Sequence, residues 1–102
     1  MASPSIKQQY VVTAYDDTDS DALDRRMAAR PAHFEGARRL KAQGSFIEGG
    51  AMLDDSGNMI GSVMIVAFDS RQQLDEWLEV EPYVTGNVWQ RIEVKPFRVA
   101  QL

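Results

Sequence analysis

Cysteine is absent from the chain, and histidine occurs once, at position 33. The first absence excludes a disulfide framework, thiolate chemistry and cysteine-ligated metals. The second leaves a typical zinc site short of donors, so no metal and no cofactor is expected. No run approaches the roughly 18 consecutive apolar residues of a membrane span, and the opening MASPSIKQQ has no apolar stretch of the secretory-leader kind. A cytoplasmic protein with no membrane partner is expected, with residues 1–6 as a disordered leader. A basic excess is also missing. At net charge −4 and a pI near 4.8 the chain lacks the clustered positive surface that phosphate backbones require, which argues against nucleic acid. Internal repeats and low-complexity segments are lacking too.

What is present suffices for one domain over 1–102. The 102 residues are 44% hydrophobic, enough for a core, yet a domain this small gains by burying further surface in an oligomer. Acidic residues cluster at Asp16, Asp17, Asp19, Asp21 and Asp24, just ahead of a segment rich in Arg25, Arg26, Arg30, Arg38, Arg39 and Lys41. Carboxylates at a helix N-terminus complement its dipole, so this block reads as helix support rather than a metal site.

Gln9 to Tyr15 is β-branched and aromatic, the composition of a strand covered on both faces. A helix follows from a cap at Asp21, with Asp24 at its third position, to about Gln43, where Gly44 supplies the stop. Within it Arg26, Arg30 and His33 share one stripe, and Leu23, Met27, Phe34 and Ala37 form an adjoining row expected to be buried. Pro31 implies either a kink near Arg30 or a second helix opening at the proline. Ser45–Met52 is a second strand, whose paired Gly49 and Gly50 permit a bulge or space for a ligand. The Asp54-Asp55-Ser56-Gly57-Asn58 turn then makes a hairpin with Met59–Phe68. Ser70 and Gln73 form a capping box for a helix from Arg71 to Val80, apolar at Leu74, Trp77 and Leu78. Glu81-Pro82-Tyr83 breaks that helix, and Val88–Val99 alternates as a final strand.

The order βαββαβ specifies a ferredoxin-like α+β fold, a four-stranded antiparallel sheet with both helices on one face. The other face is apolar and uncovered, so pairing of two sheets in a homodimer is expected.

With one histidine and no cysteine, an acid-base site must pair His33 with a carboxylate. Glu81, at the proline break, is the candidate by position. Arg26 and Arg30 are candidates to hold a substrate carboxylate, Ser62 and Tyr83 to give hydrogen bonds, and Gly50 to open space beside them. Two functions follow: a cofactor-independent lyase or isomerase moving a proton on a small anionic or aromatic molecule, or a dimeric ligand-binding or interaction module without chemistry.

The series Arg30-Pro31-Ala32-His33-Phe34, Gly44, Gly49-Gly50, Gly57, Gly61-Ser62, Glu81-Pro82-Tyr83 and Val94-Lys95-Pro96-Phe97 resembles the YciI-like (YCII-related) family over about residues 7 to 98. The resemblance implies a dimeric α+β barrel shaped like muconolactone isomerases, with a histidine and an aspartate in a pocket. The histidine matches His33. The aspartate, which opens an Asp-Pro-Tyr turn, matches Glu81, one methylene longer. The family's Gly-Pro after the second strand is replaced by Gly50-Ala51. Dehydrochlorination of a chlorinated aromatic is among the few activities the resemblance brings.

Overall fold

The computed structural model describes residues 7–102, so the leader expected at 1–6 lies outside the described residues. The elements run β1 (Gln8–Asp16), α1 (Ala22–Ala42), β2 (Phe46–Leu53), β3 (Met59–Phe68), α2 (Arg71–Val80), α3 (Pro82–Thr85) and β4 (Trp89–Phe97). The sheet is antiparallel in the order β2-β3-β1-β4, the ferredoxin-like arrangement. It is open, with β2 and β4 as its edges, so the barrel that the resemblance implies is not closed within one chain. The one-turn α3 is an addition to the expected order.

Side-chain alternation decides which face is covered. Tyr10, Val12 and Ala14 of β1 register against Val66, Met64 and Ser62 of β3, and all six are buried under the helices. Leu74 of α2 reaches this layer and is fully buried, a burial worth about 2–3 kcal/mol. Val11, Thr13 and Tyr15 point to the other face and are half-buried, together with Val63 and Ile65. Strand β1 is therefore covered on one side by its own chain, not on both.

Local chemistry sets most element ends. Ser70 Oγ accepts the Gln73 N–H at 3.2 Å, and the Gln73 side chain accepts the Asp69 N–H at 3.0 Å, so the capping box closes one residue further out than expected. Gly57, at φ +86°, turns the hairpin while the Asp54 carboxylate accepts the N–H groups of Ser56 and Asn58. Gly44, at φ +75°, ends α1.

Helix α1 settles one alternative and departs from expectation in two ways. It is one continuous helix with Pro31 inside it, so no second helix opens at the proline. Asp21 makes no side-chain cap; Asp19 serves instead, its carbonyl accepting the Ala22 N–H at 3.1 Å and its carboxylate the Asp21 N–H at 3.2 Å. Above all, the helix is rotated. Leu23, Met27 and Phe34 are 40%, 46% and 41% exposed, whereas Ala22, Arg26 and His33 are buried. Two buried polar partners, Asp16 and Glu81, wait for Arg26 and His33. Leaving either without its mate would strand a buried polar group, which is strongly destabilising, whereas the three apolar side chains are only partly exposed.

Candidate functional site

Glu81 stands where α2 ends and α3 begins, in extended conformation at φ −66° and ψ 126°. Pro82 cannot continue α2 but is suited to the first position of α3, so the break sits at a fixed place. The Glu81 carboxylate caps the new turn, its Oε1 accepting the Tyr83 N–H at 3.0 Å. The same oxygen is hydrogen-bonded to His33 Nδ1, from α1, with the pair almost wholly buried. A carboxylate only accepts, so Nδ1 carries the proton. Nε2 has no partner among the described residues. The imidazole lies 3.9 Å from the Tyr83 ring at 15° and edge-on to Trp89 at 5.9 Å, so it has little rotational freedom.

Beside this pair lies a second buried network. Arg26 Nη1 donates to both oxygens of Asp16 at 3.0 Å each, and Nη2 donates to Ser62 Oγ at 2.9 Å. Trp89 Nε1 donates to the same Ser62 Oγ at 3.3 Å. Burial raises the Asp16 carboxyl and Arg26 pulls it back down, burial being the larger influence. The Arg26 guanidinium also lies 4.8 Å from the centre of the Tyr83 ring, and its Nε, the one buried polar side-chain atom without a partner among the described residues, belongs to that group. Burial raises the Tyr83 hydroxyl as well.

Both networks border a cavity of about 360 Å³ between α1 and the sheet, within the usual range of small-molecule sites. Arg26, Arg30, His33, Gly50, Ser62 and Tyr83 all line it. Glu81 does not; it stands behind His33. Arg38 and Lys41 add positive charge at the wall, Phe34, Phe46 and Met64 add apolar surface, and no carboxylate belongs to the lining. The chain is acidic, but this cavity is not. Arg30 stacks on Phe34 at 4.5 Å.

The glycine pair has divided roles. A Cβ on Gly49 would meet Val63 O at 3.0 Å and Phe46 Cζ at 2.9 Å, so close packing demands glycine there; a Cβ on Gly50 meets nothing within 4 Å. Arg26 differs from expectation, since its charge is already matched by Asp16. Sequence reasoning missed Asp16 and Trp89. Asp16 carried a usable signal: it occupies the same alternation as Tyr10, Val12 and Ala14, and an acid on a buried strand face needs a cation. Among the described residues no three His, Asp or Glu side chains converge as a metal site would require.

Comparison with known proteins bears on most of the chain. Residues 8–98 match the YCII-related domain. Protein YciI of Escherichia coli O6:H1 is 34% identical over 95 residues, covering 87% of this chain and 95% of that protein. Among solved structures, 5-chloro-2-hydroxyhydroquinone dehydrochlorinase from Burkholderia phenoliruptrix AC1100, in complex with 2,5-dihydroxybenzoquinone, superimposes with a TM-score of 0.77 at 21% identity, over 90% of this chain and 95% of that one. A dimeric ferredoxin-like protein from an uncultured marine organism gives 0.54 at 14% identity, over 96% and 93%. Likeness at these identities shows the fold.

Proposed function

The chain belongs to the YCII-related family, and on that premise we propose that it is a cofactor-independent lyase or isomerase in which His33 moves a proton on a small anionic or aromatic substrate. One observation carries the reading. Glu81 occupies Nδ1, so Nε2 is the ring nitrogen left for a molecule in the cavity that His33 lines. In the neutral imidazole the Nε2 lone pair accepts a proton from a substrate C–H or O–H, and the imidazolium so formed is stabilised by Glu81. Returning that proton to a different atom isomerises the substrate; losing a leaving group instead completes an elimination. A positioned acid-base group of this kind contributes about 10²–10⁴ in rate. The cationic wall suits an anion, and the aromatic and apolar lining suits a ring. The dehydrochlorinase neighbour, bound to a dihydroxybenzoquinone, makes hydroxylated and halogenated aromatics the first class to try.

A binding module without chemistry is the reading that a misplaced carboxylate would favour, since Glu81 is one methylene longer than the aspartate of the resemblance. The bond from His33 Nδ1 to Glu81 supports the proton-transfer reading instead. The test is a screen of hydroxylated and halogenated aromatics, followed optically, with wild type and His33→Gln. Turnover in wild type that falls at least about a hundredfold in the variant is the expected result. Turnover unchanged in His33→Gln would overturn the role of His33.

Self-association belongs to the same proposal. Val11, Val63 and Ile65 leave an apolar sheet face half-buried, and the superimposed marine protein is dimeric. Light scattering is expected to give a homodimer, with Ile65→Lys shifting it to monomer.

A further inference from the structure

The proton of the Ser62 hydroxyl is fixed in direction by groups that are not themselves free to change. A hydroxyl oxygen has two lone pairs and one hydrogen. Both lone pairs of Ser62 Oγ are taken, by Arg26 Nη2 at 2.9 Å and Trp89 Nε1 at 3.3 Å. Neither donor can turn into an acceptor: the guanidinium and the indole N–H only donate. Arg26 is held in turn by two bonds to Asp16, and Trp89 sits buried where β4 begins. The Ser62 O–H must therefore donate, and no acceptor among the described residues receives it. Ser62 is 3% exposed, and the space it lines is the cavity shared with His33.

We infer that Ser62 is a dedicated hydrogen-bond donor to a ligand oxygen, so that the cavity takes a molecule with a carbonyl, enolate or phenolate oxygen and discriminates against the isosteric amine. This deepens the proton-transfer reading by naming the group that the substrate presents. Two N–H donors on Oγ, one from a cation, polarise the O–H and strengthen the bond it gives. That bond is strongest to an oxygen that gains negative charge, as the carbonyl oxygen of a ketone does when a neighbouring C–H is deprotonated. Ser62 and the buried cation behind it then stabilise the enolate while His33 Nε2 holds the proton. An aromatic amine offers only N–H groups and a delocalised lone pair at the same point, so two donors would face one another.

The probes are 4-nitrophenolate and 4-nitroaniline, matched in shape and coloured, titrated into the intact protein in mildly alkaline buffer. Wild type is expected to bind the phenolate at least about tenfold more tightly than the aniline and to shift its absorption to shorter wavelength, as donation to the phenolate oxygen does. Ser62→Ala is expected to lose most of that preference and the spectral shift, and Ser62→Thr, which retains the hydroxyl, to restore both. Circular dichroism and melting curves identify any variant that misfolds. Preference and shift unchanged in a folded Ser62→Ala would overturn the inference, as would equal binding of the two probes by wild type. The His33→Gln variant separates the two readings. Probe discrimination retained there, with no substrate turned over by wild type, would sink proton transfer and leave the donor role standing. His33-dependent turnover with no effect of Ser62→Ala on probe preference would do the reverse.

Discussion

The rings of His33 and Tyr83 lie 3.9 Å apart and 15° from parallel, and a single oxygen of Glu81 is bonded both to the imidazole of the first and to the backbone N–H of the second. Histidine orientation and the start of α3 are thereby set by the same atom. A change at Glu81 acts on both.

Glu81→Gln keeps an oxygen for the Tyr83 N–H but brings an amide that can donate to Nδ1, which admits the other imidazole tautomer. The fold is expected to survive while activity falls by about 10²–10⁴, and nitrogen NMR of the imidazole is expected to show a changed proton distribution. Glu81→Ala removes the cap and the bond together and is expected to cost about 1–3 kcal/mol in denaturant unfolding. Unaltered tautomer and turnover in Glu81→Gln would dissociate Glu81 from the site.

The Arg26 and Asp16 side chains are 4% and 3% exposed, so removing one strands the other. Arg26→Met alone and Asp16→Asn alone are each expected to destabilise by about 3–5 kcal/mol, whereas the double replacement Arg26→Met with Asp16→Leu is expected to recover much of the loss. A thermodynamic cycle measures the coupling; strictly additive losses would contradict it.

Neighbouring glycines are expected to respond oppositely. Gly49→Ala drives a methyl against the Val63 carbonyl and should lower the melting temperature by several degrees, consistent with an overpacking cost of about 1–3 kcal/mol. Gly50→Ala meets open space, so the melting temperature should hold while the cavity narrows and probe affinity drops. A reversal of the two effects would mean that the β2 backbone is placed differently against β3.

Acid titration should separate two aspartates. Hydrogen bonds from Arg25 hold Asp19 down at about 2, so what it contributes to stability is present above the unfolded value of 3.8 and is lost as pH falls through about 2. Asp16 has the opposite sign. Burial raises its carboxyl above 3.8, so the native chain takes up that proton before the unfolded chain does; the associated stability is complete below 3.8 and is lost as pH rises through the folded value. Carboxyl carbon NMR reads both, and Asp16 titrating below Asp19 would refute the assignment.

Much of the fold could be read from local chemistry, because local chemistry decides it. The Asp54–Asn58 turn, the Ser70 cap and the proline at 82 each act on the few residues around them, and β3 and α2 begin and end where those signals say. His33 and Glu81 were also identifiable, as the lone histidine and the carboxylate at a helix break. The orientation of α1 was not. Apolar periodicity ranks Leu23, Met27 and Phe34 above Arg26, and that ranking fails when a buried acid elsewhere claims the arginine. Asp16 stands in the acidic block that reads as helix support, although it continues β1 by one residue, and Trp89 is one position in an alternating strand. Arg26, held by Asp16, meets Trp89 at Ser62, and the network so formed joins three strands and a helix, a relation that no window of sequence contains.

Ser62 lies on β3, Arg26 on α1, Asp16 on the first strand and Trp89 at the start of the last. During synthesis the first strand must keep one edge open until β4 emerges to pair with it. A nascent chain that ends before Trp89 lacks the second N–H donor to Ser62 Oγ. The donor role inferred for Ser62 is therefore completed only by the last strand to be made.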